Sequence, residues 1–237
     1  MQNAFLKIPF DFSEVKLLAD LQICSTFQFT PHFNTRDYTG DWTSISLRSP
    51  SGEVNNIVAH AGSWKDYKDT PVLKKCQYFS EIIASFHCEK ESIRLLKLAP
   101  GSKIKEHTDL DLSYADGLFR IHIPIQTNPL VEFYINHKKV VMDVGTCWYG
   151  DFNLPHGVSN LGETDRVHLV MDCVRNDWSD ALFKKMGYEF EKERKKEAYS
   201  YETKLKMIEA LRYLDTVASK ELLRQLQEEV LSEKDNL

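Results

Sequence analysis

His107, Asp109, Arg120 and His122 fall within one short stretch, KEHTDLDLSYADGLFRIHIPI (residues 105–125), whose flanking apolar alternation reads as buried strand. Loops hold such side chains in water without penalty. A charge taken into a core is costly unless an opposite charge or a metal satisfies it, so these residues predict a shared partner. Side chains two apart on a strand share a face, which puts His107 and Asp109 on one side with alpha carbons about 6.5 Å apart. That spacing suits two ligands on one ion. In FRIHIPI (residues 119–125), Arg120, His122 and Pro124 take one side, and Phe119, Ile121, Ile123 and Ile125 the other. The apolar side needs a layer to pack on; the polar side must face a cavity or water.

The segment NLPHGVSNLGETDRVHLVMD (residues 153–172) repeats the device. His156 sits between a Pro and a Gly that mark a strand boundary, and Arg166 and His168 alternate with Val167 and Leu169. If the strands close on one another, both Arg and His sets converge on one pocket. His107, Asp109 and His156 then supply two imidazoles and one carboxylate, a facial set that leaves open positions on an octahedral ion and suits non-haem Fe(II). Zinc also accepts such ligands. Asp111 shares the face of Asp109 and is its alternative. The case for iron comes from Arg166, whose planar guanidinium is a two-pronged partner for a carboxylate. 2-Oxoglutarate has a keto acid to chelate iron and a distal carboxylate that needs such a partner.

The elements that must position these residues are mostly strands. SIRLLKLAPGSKI, LFRIHIPIQTNPL, VEFYINHKKVVMDVGTCWYGD and DRVHLVMDC, between residues 92 and 173, are β-branched and aromatic runs separated by turn signals, the pattern of an antiparallel sandwich or barrel. INHKK (residues 135–139) reads as a hairpin turn. Ahead of them the pattern predicts a strand at residues 5–8, a helix from residue 13 with Leu17, Leu18 and Leu21 on one face, and a strand at residues 43–47. A second helix should begin at Thr70 and Pro71 and carry Val72, Cys76, Phe79, Ile83 and Phe86 on one face. After Asp177 the character changes to a charged run, EFEKERKKEAYS, and then two amphipathic stretches, YETKLKMIEALRYL and SKELLRQLQEEVL. We therefore expect a domain over residues 1–177 and a helical extension over residues 178–237.

A chain of 237 residues that is 42% hydrophobic can build one large core plus an appendage. The net charge of −5, without a long basic block, argues against nucleic acid and acidic membrane partners. No apolar run reaches membrane-spanning length, and MQNAFLKIPFDF lacks a secretory layout, so a cytoplasmic protein is expected. The five cysteines form no CxxC pair and read as reduced, mostly buried thiols.

LAPGSKIKEHTD, FRIHIPI and GTCWYGDFNLPHGVSNLGETDRVHLVMD together resemble the aspartyl/asparaginyl β-hydroxylase-like group of 2-oxoglutarate dioxygenases, which includes bacterial free-proline hydroxylases. The resemblance runs over residues 38–172. It implies a mainly β fold with flanking helices, built on a double-stranded β-helix (jelly-roll) core, with His107, Asp109 and His156 holding Fe(II). It further implies Arg166 on the distal carboxylate of 2-oxoglutarate and His122 near its keto acid. Some members lack the Asp ligand, so Asp109 brings this chain closer to the bacterial amino acid hydroxylases.

The leading reading is an oxygenase that uses Fe(II), 2-oxoglutarate and O2 to hydroxylate a C–H bond of an amino acid, free or in a peptide. Arg120 is the candidate for a substrate carboxylate, and Trp42, Tyr38 and Arg48 for the substrate side of the pocket. The competing readings are a cupin-like metal enzyme without a keto acid and a binding protein on the same barrel. The C-terminal helices are candidates for a homodimer interface or a lid.

Overall fold

The computed structural model describes residues 3–59, 64–193 and 201–213, with Leu223, Arg224, Leu226, Gln227, Val230 and Leu231. In chain order the first elements are β1 (Phe5–Asp11), α1 (Glu14–Cys24), β2 (Thr30–Pro31), β3 (Tyr38–Thr39), β4 (Trp42–Ser49), β5 (Lys68–Asp69) and α2 (Gln77–Ser85). The central strands follow: β6 (Lys90–Leu98), β7 (Lys103–His107), β8 (Leu118–Gln126), β9 (Val131–Ile135), β10 (Lys138–Lys139), β11 (Thr146–Gly150), β12 (His156–Asn160) and β13 (Arg166–Val174). Then come α3 (Asp177–Lys185) and α4 (Tyr201–Leu211). Between residues 92 and 173 the one helical piece is the 3-10 turn Tyr114–Asp116.

Two antiparallel sheets face each other. The larger runs β1-β11-β8-β13-β6-β4-β2, with β5 on β4, and the smaller runs β10-β9-β12-β7-β3. Strands distant in sequence thus become neighbours in each sheet, as the expected double-stranded β-helix requires. The two faces of the larger sheet have different tasks. Phe119, Ile121, Ile123 and Ile125 of β8, with Val167 and Leu169 of β13, join a core that includes Leu17 and Leu21 of α1 and Phe79 and Ile82 of α2. The opposite face of β8 and β13 turns Arg120, His122 and Arg166 toward the smaller sheet, where Phe133, Ile135, Phe152 and Val158 form a second apolar cluster. The polar alternation is therefore the inner lining of the barrel.

The helix expected from Thr70 is interrupted. Thr70 and Pro71 lead into a 3-10 turn, Leu73–Lys75, with the Leu73 N–H 3.5 Å from Thr70 Oγ1, and α2 starts only after Cys76, whose backbone leaves helical geometry (φ −101°, ψ 87°). The cause is tertiary. The buried carboxylate of Asp20, on α1, accepts the Phe79 N–H at 2.8 Å and caps the new helix start. The turn INHKK joins β9 to β10 with Asn136 and His137 at φ 49° and 60°, as a two-residue hairpin turn demands.

The compact unit extends past residue 177 to Glu193 and so includes α3; residues 194–237 form a second unit. In that second unit α4 carries Lys204 and Ile208 as buried positions. The first amphipathic stretch is thus a helix; much of the second lies outside the described residues, and those described are helical. No helix among the described residues is long and apolar enough to cross a membrane.

One contact controls how closely the two histidine strands approach. β12 pairs with both β7 and β9, and a register shift between His156 and Val158 sets two residues of β7, Lys105 and Glu106, against the single Gly157 of β12. A Cβ at Gly157 would lie 3.2 Å from both Glu106 N and Ile104 O. Gly157→Val should push β12 off β7, lower stability by about 1–3 kcal/mol and weaken metal binding while far-UV dichroism stays unchanged. Thermal melts and metal titration check this; wild-type affinity in the variant would show that the close approach is unimportant.

Candidate metal centre

His107 closes β7 and His156 opens β12, and the two are directly paired across the ladder. Their rings lie 4.2 Å apart between centroids. Asp109 is not on the strand: β7 ends at His107, and Asp109 reaches the site from the following loop, which its backbone N–H pins to Phe152 O at 2.9 Å. The shared face expected from strand alternation is thus supplied by a tethered turn. His107 Nε2 is 3.8 Å from Asp109 Oδ1, and one ligand atom from each of His107, Asp109 and His156 lies within 4.8 Å of the others. Asp111 is outside this cluster and takes a left-handed backbone, φ 56°.

Both imidazoles are prepared as ligands by the backbone. His107 Nδ1 donates to Lys105 O at 2.8 Å and His156 Nδ1 to Leu154 O at 3.0 Å, which leaves both Nε2 lone pairs free for an ion. Burial, reinforced by the neighbouring His107, lowers the pKa of His156 to about 4, so its ring is neutral near pH 7. Burial pushes the Asp109 carboxyl upward, but Arg120, His156 and His107 outweigh that and hold it below its usual range.

Arg120 reaches the cavity wall, but two carboxylates occupy it. Its Nη1 donates to Asp109 Oδ2 at 2.7 Å, and its Nε and Nη2 donate to Asp172 at 2.6 and 3.1 Å. Asp172, wholly buried, also accepts from Arg94 Nη2 at 3.1 Å. Arg120 is therefore held against the carboxylates of Asp109 and Asp172, rather than open-handed toward a substrate. Arg94 is the residue that the sequence reading passed over. It lines the cavity, and its Nε is buried without a hydrogen-bond partner. Its signal was present in SIRLLKL, where an Arg interrupts an apolar strand just as Arg120 does.

On the opposite side of the cavity, Arg166 is 2% exposed and has no carboxylate partner among the described residues. Its Nη2 donates to His168 Nδ1 at 3.0 Å, its guanidinium lies over Phe133 at 5.3 Å, and its Nε is orphaned. Burial alone drives its pKa down to about 9. His122 lies beside it, its pKa held well below the usual imidazole range by burial and then by the nearby Arg166 and Arg120, with Nε2 also buried and unpartnered. Buried donors and acceptors without a partner are rare in folded proteins, and these two belong to residues that line the same cavity.

The cavity between these groups has a volume of about 300 Å³. Trp42 lines it, stacked on His32 at 3.6 Å, and His32 in turn stacks on the exposed Phe33 at 4.5 Å. His32 carried no spacing signal, because it is recruited by stacking rather than by strand alternation. Tyr38 packs edge-on behind Trp42 and does not reach the cavity wall. Arg48 lies outside it as well, held by Asp69 at 2.6 Å and by Lys90 O.

Because Arg120 orients the Asp109 carboxylate, its loss should act on a metal held by the His-Asp-His cluster. Arg120→Gln is expected to weaken divalent metal binding by about 10-fold to 100-fold, the usual effect of removing a partner behind a ligand. Chelator competition measures it; unchanged affinity in a folded variant would detach Arg120 from the centre.

The sequence profile of the aspartyl/asparaginyl beta-hydroxylase family matches residues 15–176. The chain is 28% identical over 178 residues to L-proline cis-4-hydroxylase of Rhizobium meliloti (strain 1021); the match covers 73% of this chain and 61% of that protein, so this chain spans about three-fifths of the length of that curated relative. Among solved structures, an oxidoreductase of the 2OG-Fe(II) oxygenase family from Burkholderia pseudomallei shares the fold, with TM-score 0.51 and 15% identity over 73% of this chain and 86% of that one. With the profile covering most of the chain and each of the motifs read above, this protein belongs to the aspartyl/asparaginyl β-hydroxylase family.

Proposed function

We propose that this chain is an Fe(II)- and 2-oxoglutarate-dependent hydroxylase of an amino acid, free or within a peptide. The observation that carries the reading is the guanidinium of Arg166, without a carboxylate partner among the described residues and buried within one cavity with a His-Asp-His cluster and an orphaned His122 nitrogen. The residues fit the cofactors. His107, Asp109 and His156 would hold the iron, and Arg166 would meet the distal carboxylate of 2-oxoglutarate, whose arrival would satisfy the orphaned Nε. Bound iron and 2-oxoglutarate supply oxidation of a C–H bond by O2, with succinate and carbon dioxide as coproducts.

The protein's own groups do the rest. Arg120 and Asp172 fix the Asp109 carboxylate, while the backbone carbonyls of Lys105 and Leu154 fix the ligand histidines. Phe133 and Phe152 line the cavity with apolar surface and keep water from the reacting groups.

Charge supports an acidic group on the substrate. Three buried guanidiniums line the cavity: Arg94 and Arg120 are paired with Asp172 and Asp109, and Arg166 lies apart from both carboxylates. A divalent ion and dianionic 2-oxoglutarate would cancel one another, and Asp37 also stands on the cavity wall, so the support for a substrate carboxylate is local, at Arg94. The orphaned Nε of Arg94 offers a donor for it, and the stacked Trp42 and His32 offer a flat wall beside it. The likeness to L-proline cis-4-hydroxylase supports a free amino acid, proline among the first to try.

Two measurements test this. Arg166→Ala should weaken 2-oxoglutarate binding by about 10-fold to 100-fold, as loss of a charge-assisted bond implies; equal affinity would remove Arg166 from the cosubstrate site. With iron, ascorbate and 2-oxoglutarate, a panel of free amino acids and short peptides should include one that raises succinate release and gains one oxygen by mass. Metal-dependent turnover of a substrate without 2-oxoglutarate consumption would replace this reading with a cupin-like one.

A further inference from the structure

His168 has no contact with the His-Asp-His cluster, yet it is buried at 2% exposure and joined to both groups that face the cosubstrate end of the cavity. It lies on β13 two residues beyond Arg166, and β13 pairs with β8, which carries His122. Arg166 Nη2 is 3.0 Å from His168 Nδ1, and His122 Nδ1 is 3.3 Å from the same nitrogen. The two rings stand nearly perpendicular, at 73°.

The protons in this chain of contacts follow from what each atom can do. A guanidinium only donates, so His168 Nδ1 must be the bare nitrogen, and a neutral His168 carries its proton on Nε2. Facing that lone pair, His122 Nδ1 must carry a hydrogen, since two lone pairs 3.3 Å apart in a dry interior repel. The remaining nitrogen of His122, Nε2, is therefore the bare one, and it is the atom left buried and unpartnered.

We propose that His168 is a positioning residue for cosubstrate binding: its Nδ1 lone pair anchors the Arg166 guanidinium and fixes the His122 proton on Nδ1, so that His122 presents an acceptor to the cavity. This rests on the reading of Arg166 as the partner of the distal carboxylate. One consequence is chemical. Oxygens of a keto acid dianion are acceptors too, so His122 meets them through a water or after gaining a proton, not by a direct bond in its resting form.

The test uses His168→Leu, which removes the acceptor, and His168→Asn, whose Oδ1 replaces Nδ1 as an acceptor. Nitrogen-15 shifts of His122 in the metal-free protein report the tautomer, and titration of the nickel-loaded protein reports 2-oxoglutarate affinity. Wild type and His168→Asn should show protonated Nδ1 and bare Nε2. His168→Leu should lose that preference and bind 2-oxoglutarate about tenfold more weakly, with metal affinity unchanged and His168→Asn within about threefold of wild type. A purely structural role would not move the tautomer or be rescued by Asn. A wild-type His122 protonated on Nε2 overturns the proposal whatever the variants do, and so does His168→Leu with wild-type tautomer and affinity. Failure of wild type to bind 2-oxoglutarate, with the tautomer as stated, instead overturns the functional reading.

Discussion

Asp172 is the buried anion on which the interior of this barrel depends. It accepts from Arg120 through two nitrogens and from Arg94 through one, and Arg120 passes its remaining grip to Asp109. Opposite charges in register on adjacent strands make this possible: Asp172 and Arg120 are direct partners across β13 and β8. A lone guanidinium inside such a sheet would be destabilising, and a pair without Asp172 more so. With it, positive charge is kept beside Asp109 while that carboxylate stays ionised. Arg166 has no equivalent carboxylate among the described residues, and that asymmetry distinguishes the two ends of the cavity.

The fold makes the asymmetry possible by giving each strand of the larger sheet two environments. The outer face of β8 and β13 is apolar because α1 and α2 cover it. The inner face is polar because the smaller sheet stands off it around a cavity. Rigid strands then present His122, Arg166 and Arg120 at fixed positions, while Asp109, the member of the His-Asp-His cluster that lies on a loop, is tied down by its backbone and by Arg120. Such holding is what a metal site needs from the residues behind its ligands.

Much of this was legible because strand alternation survives folding. FRIHIPI and DRVHLVMD each announced one apolar and one polar face, and the structure keeps both. What was not legible came from tertiary partners. Nothing local told that Asp20 would cap α2 and break the helix at Cys76, or that His32 would be drawn to the cavity by stacking on Trp42. Arg120 looked like a free donor because its two acceptors sit 11 and 52 residues away in sequence. Tyr38 and Arg48 were expected near the pocket because the segment that holds them with Trp42 resembles the family's substrate-side segment, but one packs behind Trp42 and the other is held by Asp69. Arg94 was within reach of the same alternation argument that identified Arg120.

The most direct test of the central claim is a crystal structure of the protein with Mn(II) in place of iron and 2-oxoglutarate, with anomalous scattering locating the metal. The account requires one ion bound by Nε2 of His107 and His156 and by the Asp109 carboxylate, with the far carboxylate of the cosubstrate against Arg166. An ion held elsewhere, or an Arg166 that stays without an anion while 2-oxoglutarate occupies the cavity, would contradict it.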